Sequence, residues 1–177
     1  MRKAVFAAVV GFVAALFVSV SSVQAAPYCG ITWGSLPKEV STMTSRSLTN
    51  IRTGQHDCYD RMVFDLTGTT GTGYKVQYVS AVRADGSGAV VPVNGGAKLQ
   101  IRVNAPVYNT SGTVTYNAAF GQKLPGVNLT GYQTFKEAKY AGSFEGYTTV
   151  GLGVRAQLPF RVFVTGNHVV VDVAHYW

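Results

Sequence analysis

The sequence is poor in charge and in cysteine, and it has no sustained helical period. Charged residues make up 13% of the 177 residues, with 8 acidic residues against 15 lysines and arginines. The composition excludes collagen, coiled coil and intrinsic disorder, since the hydrophobic fraction is 47% and Gly and Pro number 20 and 6. Two cysteines exclude a small domain built on many disulfides. One globular domain of about 150 residues remains.

The N-terminus has the pattern of a secretory signal peptide. Arg2 and Lys3 precede an uncharged apolar run over residues 4–18. Val23-Gln24-Ala25 then supplies small residues where a signal peptidase cleaves. The rival interpretation is a membrane anchor, but a run of about 15 residues is shorter than the span of about 20 that a bilayer requires. We therefore expect residues 1–25 to be removed and the mature protein to be secreted or held in the cell envelope, without a transmembrane segment.

The positive charge is scattered along the chain. The net charge is +7, but the basic residues form no stripe or patch of the kind that nucleic-acid binding requires. We therefore expect no nucleic-acid partner. A mildly basic exported protein can associate with anionic wall polymers, although the same charge can simply keep the protein soluble.

The two cysteines, Cys29 and Cys58, both lie in the exported part. Disulfides persist in such compartments, and an even pair without a spare thiol predicts one bridge. The alternatives are a metal site or a redox pair. There is no CxxC motif, and two cysteines alone do not complete a zinc shell. We therefore predict a structural disulfide and no metal or other cofactor.

Alternating apolar and polar residues dominate the rest of the chain and predict short β-strands. Residues 26–48 indicate an extended arm, and residues 49–177 the main domain. Residues 135–140 fit either a short helix or a strand with Phe135 inward. The predicted strands are 61–66, 74–79, 89–93, 98–103, 146–155, 160–164 and 168–173. This pattern predicts an all-β domain, either a two-sheet β-sandwich or a small barrel.

An internal echo appears at an offset of 88 residues. It pairs Gly54 with Gly142, Asp57 with Glu145, Tyr59 with Tyr147, Phe64 with Leu152 and Leu66 with Val154. A repeated unit of this kind cannot bury its apolar face alone, whereas two similar sheets packed together bury both faces. The echo therefore favours a sandwich with a rough internal two-fold, in which Phe64 and Leu152 hold corresponding core positions.

The densest polar run covers residues 56–61. It fits a metal corner or an acid–base site with His175 and Glu145, or a loop whose charges serve structure beside the predicted disulfide. The predicted ligand contacts are His56, Asp57, Tyr59 and Glu145. They occupy polar turns before two equivalent strands, and we expect such turns to cluster at one end of a sandwich.

Other polar and aromatic residues suggest structure more than catalysis. Asp65 and Asp172 lie inside apolar strands and need partners if they are buried. The candidate partners are Arg61, Arg155 and Arg161. The sequence contains no hydrolase Gly-x-Ser-x-Gly motif, so we predict no catalytic residues. The aromatic residues near turns or termini, which suit stacking on sugar rings, are Tyr28, Trp33, Tyr59, Tyr147, Tyr176 and Trp177.

Several motifs resemble a known family. The stretches that carry the resemblance are 29–35, 52–61, 85–88, 141–146, 151–155, 158–162 and 171–175, together with the strand motifs 61–66 and 169–173. They are similar to AMIN modules, and more closely to the AMIN-like domain proteins of actinobacteria, over residues 29–177. The resemblance implies a two-sheet β-sandwich, a place in the cell envelope and, by analogy with AMIN modules attached to wall hydrolases, peptidoglycan binding. We expect this chain to differ from them in having no hydrolase domain.

We therefore expect a secreted, non-enzymatic module that binds peptidoglycan or another wall glycan. The alternatives are a small cell-wall hydrolase and a structural or protein-interaction domain. The expected partner is a cell-wall polymer or an envelope protein. The sequence leaves the oligomeric state open.

Overall fold

The computed structural model describes residues 27–177, which form short strands, a 3-10 turn at Tyr28–Gly30 and no α-helix. The strands are β1 (Lys38–Val40), β2 (Leu48–Gln55), β3 (Tyr59–Leu66), β4 (Tyr74–Tyr78), β5 (Val82–Arg83), β6 (Val90–Val91), β7 (Ala97–Val103), β8 (Phe135–Phe144), β9 (Tyr147–Val154), β10 (Phe160–Thr165) and β11 (His168–Ala174). The predicted signal peptide lies outside the described residues.

Two antiparallel sheets form the body of the domain. One has five strands in the order β1-β4-β7-β9-β8, and the other has four in the order β10-β11-β3-β2. Alternate residues of each strand point between the sheets because the side-chain period of a strand is two. Phe64, Ile101, Leu152 and Val171 are among the residues of the resulting core, and each is fully buried. The all-β, two-sheet sandwich prediction is confirmed.

The two sheets repeat one topology. Strands β2, β3, β11 and β10 of one sheet correspond in order to β8, β9, β7 and β4 of the other. The registers agree as well, since equivalent side-by-side rows are Phe160–Val173–Asp60–Gln55 and Tyr74–Val103–Thr148–Ser143. Phe64 and Leu152 therefore hold equivalent positions, and both are fully buried. The echo in the sequence marks a repeat in the structure.

Equivalent turns lie at opposite ends of the sandwich. The backbone amide of Phe135, the first residue of β8, donates to the carboxylate of Asp60 near the start of β3. Phe135 also pairs with Val154, the last residue of β9. The start of β3 therefore lies beside the end of β9, so the two repeats run in opposite directions. The turn before β3 and the turn before β9 consequently do not meet.

Two segments lie outside the repeated strands, namely the N-terminal arm and the β5–β6 hairpin. The N-terminal arm bridges to β10 through Gly34 and then pairs with β4 through β1, so it is not wholly irregular. The β5–β6 hairpin packs on the outer face of the five-stranded sheet, where Val82, Val91, Val93 and Ala141 form a second small core. Glycines at 151 and 153 make room for this hairpin, because a Cβ at Gly153 would lie 1.8 Å from the carbonyl oxygen of Asn94.

The alternation predicted most strands to within a few residues. Residues 135–140, which the sequence left open, lie in strand β8 with Phe135 buried. Sequence reasoning missed β1, β2 and the two-residue β5. In β2 a register irregularity between Leu48 and Asn50 breaks the alternation, and β1 has three residues, too few to show a period.

Candidate functional site

The outer face of the four-stranded sheet carries an unusual group of aromatic and arginine side chains. Because Met62, Phe64 and Val171 face the core, their neighbours along β3 and β11 face outward. The group is half-buried apart from the exposed His56, and it is called here the aromatic–arginine platform. It consists of Trp33, His56, Tyr59, Arg61, Arg161 and Phe163.

Asp172 of β11 organises the two arginines. The strand register sets Arg161, Asp172 and Arg61 side by side on β10, β11 and β3. Asp172 accepts hydrogen bonds from Arg61 Nε at 2.7 Å and Nη2 at 2.9 Å, and from Arg161 Nε at 2.7 Å. Its side chain is fully buried beneath them. The hydrogen bond with Asp172 raises the pKa of Arg61, although burial acts in the opposite direction.

The aromatic rings surround these guanidinium groups. The His56 ring stacks on the Tyr59 ring with centroids 4.5 Å apart, and the Trp33 ring lies 5.9 Å from Tyr59. The Arg161 guanidinium lies 5.6 Å from the Trp33 ring and 5.1 Å from the Phe163 ring. Such distances allow cation–π attraction, which holds long side chains in place without desolvating them fully. The result is a preformed surface of flat rings and cations.

The N-terminal arm supplies Trp33. Cys29 and Cys58 form a disulfide with a Cα–Cα distance of 6.4 Å, which confirms the predicted bridge. The bridge ties the arm to the β2–β3 turn beside Tyr59, and Gly34 then pairs with Phe160 at the edge of β10. Trp33 lies between these two attachments and its Nε1 donates to the carbonyl of Tyr28 at 2.9 Å. The disulfide therefore positions a platform residue as well as the arm.

A second ion cluster extends the same face. Asp65 on β3 accepts a hydrogen bond from Arg52 Nε at 3.0 Å, and its Oδ1 lies 2.7 Å from His168 Nδ1. Arg52 is more than half exposed. Three arginines therefore stand against two carboxylates in these two clusters, which together carry net positive charge.

A buried pair supports the platform from behind. Asp60 and His175 are almost fully buried, and His175 Nε2 lies 3.1 Å from Asp60 Oδ1. Asp60 Oδ2 accepts hydrogen bonds from the backbone amides of Thr134 and Phe135 at 2.6 and 2.9 Å. The other ring nitrogen of His175 lies 3.2 Å from the carbonyl of Asp57. These contacts fix the β2–β3 turn to the C-terminal strand and to β8, which is a structural task.

The structure brings together three of the four predicted ligand contacts. His56, Asp57 and Tyr59 lie in or next to the β2–β3 turn, and His56 and Tyr59 belong to the platform. Asp57 is exposed in the same turn. Glu145 lies in the β8–β9 turn at the opposite end of the sandwich, because the two repeats run in opposite directions. The four residues therefore do not form one cluster.

Sequence reasoning singled out every platform residue except Phe163, but it did not predict that they share one face. Arg61 and Arg161 were expected as partners of buried carboxylates, and both do bind Asp172, but the face they share with Tyr59 was not foreseen. Phe163 was not singled out. Arg161 and Phe163 alternate with inward-facing residues in strand 160–164. This alternation was the signal that could have placed both side chains on the outer face. Arg155, the third expected partner, instead donates to the carbonyl of His175.

Outside the platform, residues 27–177 contain a groove beside β8 that could receive a ligand. It has a volume of about 500 Å³ and includes Lys123, Lys136, Glu137 and Asn94 among its lining residues. No group of three or more His, Cys, Asp or Glu residues suited to a metal ion occurs in this range. Nor does this part of the chain contain a helix long and apolar enough to cross a bilayer.

Comparison with protein families defines the class of this molecule. The model of the AMIN-like domain matches residues 46–175, which is most of the chain, and the chain therefore belongs to the AMIN-like domain family. AMIN-like domains are associated with the cell envelope and are generally binding modules rather than enzymes. The protein is thus a module related to the cell envelope. No curated protein and no solved structure gives a significant match.

Proposed function

We propose that the protein is a secreted, non-enzymatic module that binds peptidoglycan or another glycan of the cell wall. The aromatic–arginine platform carries this proposal. The Trp33 ring and the exposed His56 ring, which is stacked on Tyr59, offer flat surfaces on which a sugar ring can stack. Guanidinium groups bind carboxylates in a bidentate manner. A wall polymer that presents both sugar rings and carboxylates matches this combination.

The preorganisation of the platform supports binding. Asp172 and the neighbouring rings hold Arg61 and Arg161 in place before any ligand arrives. Less side-chain entropy is then lost on binding than with free surface arginines. The envelope association of the family agrees with the signal-peptide pattern. The likeness to actinobacterial members, the export and the ligand contacts of His56, Asp57 and Tyr59 remain predictions.

Retention on purified cell-wall sacculi tests the role of the platform. We expect the double substitution Trp33→Ala and His56→Ala to weaken retention about tenfold, since exposed aromatic anchors dominate such interfaces. The thermal midpoint should stay nearly unchanged, because both side chains lie outside the core cluster. Sedimentation of the mature protein with sacculi at several protein concentrations provides the measurement.

Two controls separate the platform from other surfaces. Trp177→Ala removes an aromatic ring that is 75% exposed and donates to the carbonyl of Gln157, which is not a platform residue. Glu145→Gln changes the predicted contact at the opposite end of the sandwich. Both controls should be retained like the parent. Equal retention of the platform variant and the parent would contradict the proposal, and release of soluble muropeptides by the purified protein would favour the hydrolase alternative.

A further inference from the structure

A small polar groove lies on the outer face of the five-stranded sheet, away from the platform. It has a volume of about 220 Å³ and is lined by Lys75 and Gln77 of β4 and by Gln100 and Arg102 of β7. These positions alternate with core residues such as Val76 and Ile101, and they therefore face outward. Every lining side chain carries hydrogen-bond donors.

The internal repeat shows what is unusual about this groove. The row Arg161–Asp172–Arg61 of the four-stranded sheet corresponds to the row Lys75–Arg102–Thr149 of the five-stranded sheet. Arg102 thus occupies the place that the buried carboxylate of Asp172 holds in the other sheet. Lys75 and Arg102 are direct cross-strand partners. Like charges in that position repel each other, and an anion between them relieves the repulsion.

The hydrogen-bonding state of Arg102 and Gln100 also favours an anion. The Oε1 atom of Gln100 already accepts a bond from the backbone amide of Arg83 at 2.9 Å. The Gln100 amide nitrogen, a donor, is therefore the group left for the groove. The Nε atom of Arg102 is buried and has no partner among residues 27–177. The Arg102 guanidinium lies 4.5 Å from the Tyr147 ring, which holds it in position.

Two carboxylates lie near the row but do not neutralise Arg102. Glu39 of β1 pairs with Lys75 at 2.9 Å, and both side chains are more than one-third exposed. Asp85 of the β5–β6 hairpin accepts a hydrogen bond from Thr149, the neighbour of Arg102 in the row. Within the described part of the chain, Arg102 forms no ion pair. Exposed pairs such as that of Glu39 with Lys75 contribute little to stability, so a bound anion can displace Glu39 from Lys75.

We propose that this groove binds the phosphate group of a phosphate ester, with Lys75 and Arg102 as the cations and Gln77 and Gln100 as neutral donors. The groove is smaller than the cavities of about 300–1,000 Å³ that enclose whole ligands, so a single anionic group fits it better than a sugar ring. Charge-assisted hydrogen bonds from an ammonium and a guanidinium are the usual means of holding phosphate. This site lies on the face opposite the platform and does not depend on the function proposed above.

Titration with glycerol phosphate, followed by NMR of the side-chain amides of Gln77 and Gln100, tests the site. We expect saturable shifts in the parent and about tenfold weaker binding in Arg102→Gln. Glu39→Gln should bind more tightly than the parent because it removes the carboxylate that competes for Lys75. Lys136→Gln removes the same charge as Arg102→Gln from another surface and should bind like the parent. Trp33→Ala should also leave this titration unchanged.

The source of the phosphate is distinguished by a second arm with vesicles containing phosphatidylglycerol. Loss of binding in Arg102→Gln for glycerol phosphate but not for vesicles supports a soluble or polymeric ester as the ligand. Loss of binding in both experiments supports the groove as the binding site and indicates that it also accepts the phosphate of lipid headgroups. If Arg102→Gln does not fold, Lys75→Gln replaces it in both arms. Binding that is equal in the parent, the groove variants and Lys136→Gln would overturn the proposal.

Discussion

Asp172 and Arg102 show how one residue changes the character of a sheet face. The two residues hold equivalent positions in the two repeats. In the four-stranded sheet, Asp172 joins the two arginines beside it into a compact cluster that supports the aromatic rings of the platform. In the five-stranded sheet, Arg102 at the equivalent position gives a groove lined by hydrogen-bond donors. That a carboxylate inside an apolar strand needs a cation was predictable from the sequence, but the choice of Arg52 and His168 for Asp65 required the strand register.

Tyr116 leads to a prediction about alkaline stability. This side chain is 6% exposed, and its hydroxyl has no hydrogen-bond partner among residues 27–177. Burial raises the pKa of Tyr116 to about 12, with a smaller contribution from Tyr140. The stabilisation linked to the neutral ring is therefore complete below the ordinary value near pH 10 and is lost as the pH rises through 12.

Replacing Tyr116 by Phe removes this titration and an unsatisfied hydroxyl. We expect Tyr116→Phe to raise the free energy of unfolding by about 1 kcal/mol at neutral pH and to move alkaline unfolding upward. Tyr78→Phe is the matched control, because the Tyr78 hydroxyl donates to the carbonyl of Leu158 at 2.6 Å and its loss should destabilise. Urea unfolding at pH 7 and at pH 11 measures both. A destabilised Tyr116→Phe would contradict the expectation.

At the scale of elements, strand alternation was a strong signal and turn chemistry a weaker one. The predicted strands 160–164 and 168–173 match the β10–β11 hairpin closely, because two runs of β-branched and aromatic residues flank the turn residues Thr165-Gly166-Asn167. The strand predicted at 89–93 is β6, but its partner is the two-residue β5 and not the predicted strand 74–79, which pairs with β1 and β7. The packing of this hairpin on the outer face of the five-stranded sheet was not predicted. That packing depends on small residues in another strand, at positions 151 and 153, which a local pattern does not reveal.

Gly153 therefore gives a prediction for the hairpin. In Gly153→Ala the added Cβ would lie 1.8 Å from a backbone oxygen of Asn94, so the segment after β6 must move. We expect a loss of about 1–3 kcal/mol in the free energy of unfolding. Amide hydrogen exchange should rise in the β5–β6 hairpin. Gly54→Ala is the control, since the nearest atom there is a His56 side-chain nitrogen at 3.8 Å. Equal exchange in the two variants would show that Asn94 adapts.

At the scale of the whole molecule, the disulfide joins the arm to the domain across 29 residues of sequence. In the chain-entropy account, a loop of that length contributes about 3–4 kcal/mol by restricting the unfolded chain. We expect the double variant Cys29→Ser and Cys58→Ser to lose stability of that order. It should also lose retention on sacculi, because Trp33 is then held by fewer attachments. The oxidised parent and the double variant are compared by urea unfolding and by sedimentation with sacculi.

A reductant supplies the control for this prediction. It should weaken the parent and leave the double variant unchanged. Retention that survives removal of the bridge would show that the pairing of Gly34 with Phe160 is enough to position Trp33.

The overall architecture was more predictable than the site. The echo at 88 residues correctly indicated two similar sheets and the equivalence of Phe64 and Leu152. Sequence similarity between two halves does not show whether the two repeats run in the same or in opposite directions. The echo therefore could not indicate that equivalent turns lie at opposite ends of the sandwich. The grouping of Glu145 with His56 failed for this reason. Trp33 joins the platform through a disulfide and a single bridge, which are contacts that no periodic pattern encodes.

The path of the N-terminal arm also bears on how the protein avoids self-association. An open sheet edge can recruit a strand from another molecule. The arm lies along β10 at Gly34 and along β4 through β1, so it shields one edge of each sheet in turn. The edge that β1 presents is three residues long, follows Pro37 and carries Lys38 and Glu39. A neighbouring molecule thus meets a short, charged edge in place of the five-residue β4, and edge-to-edge aggregation is discouraged on that side.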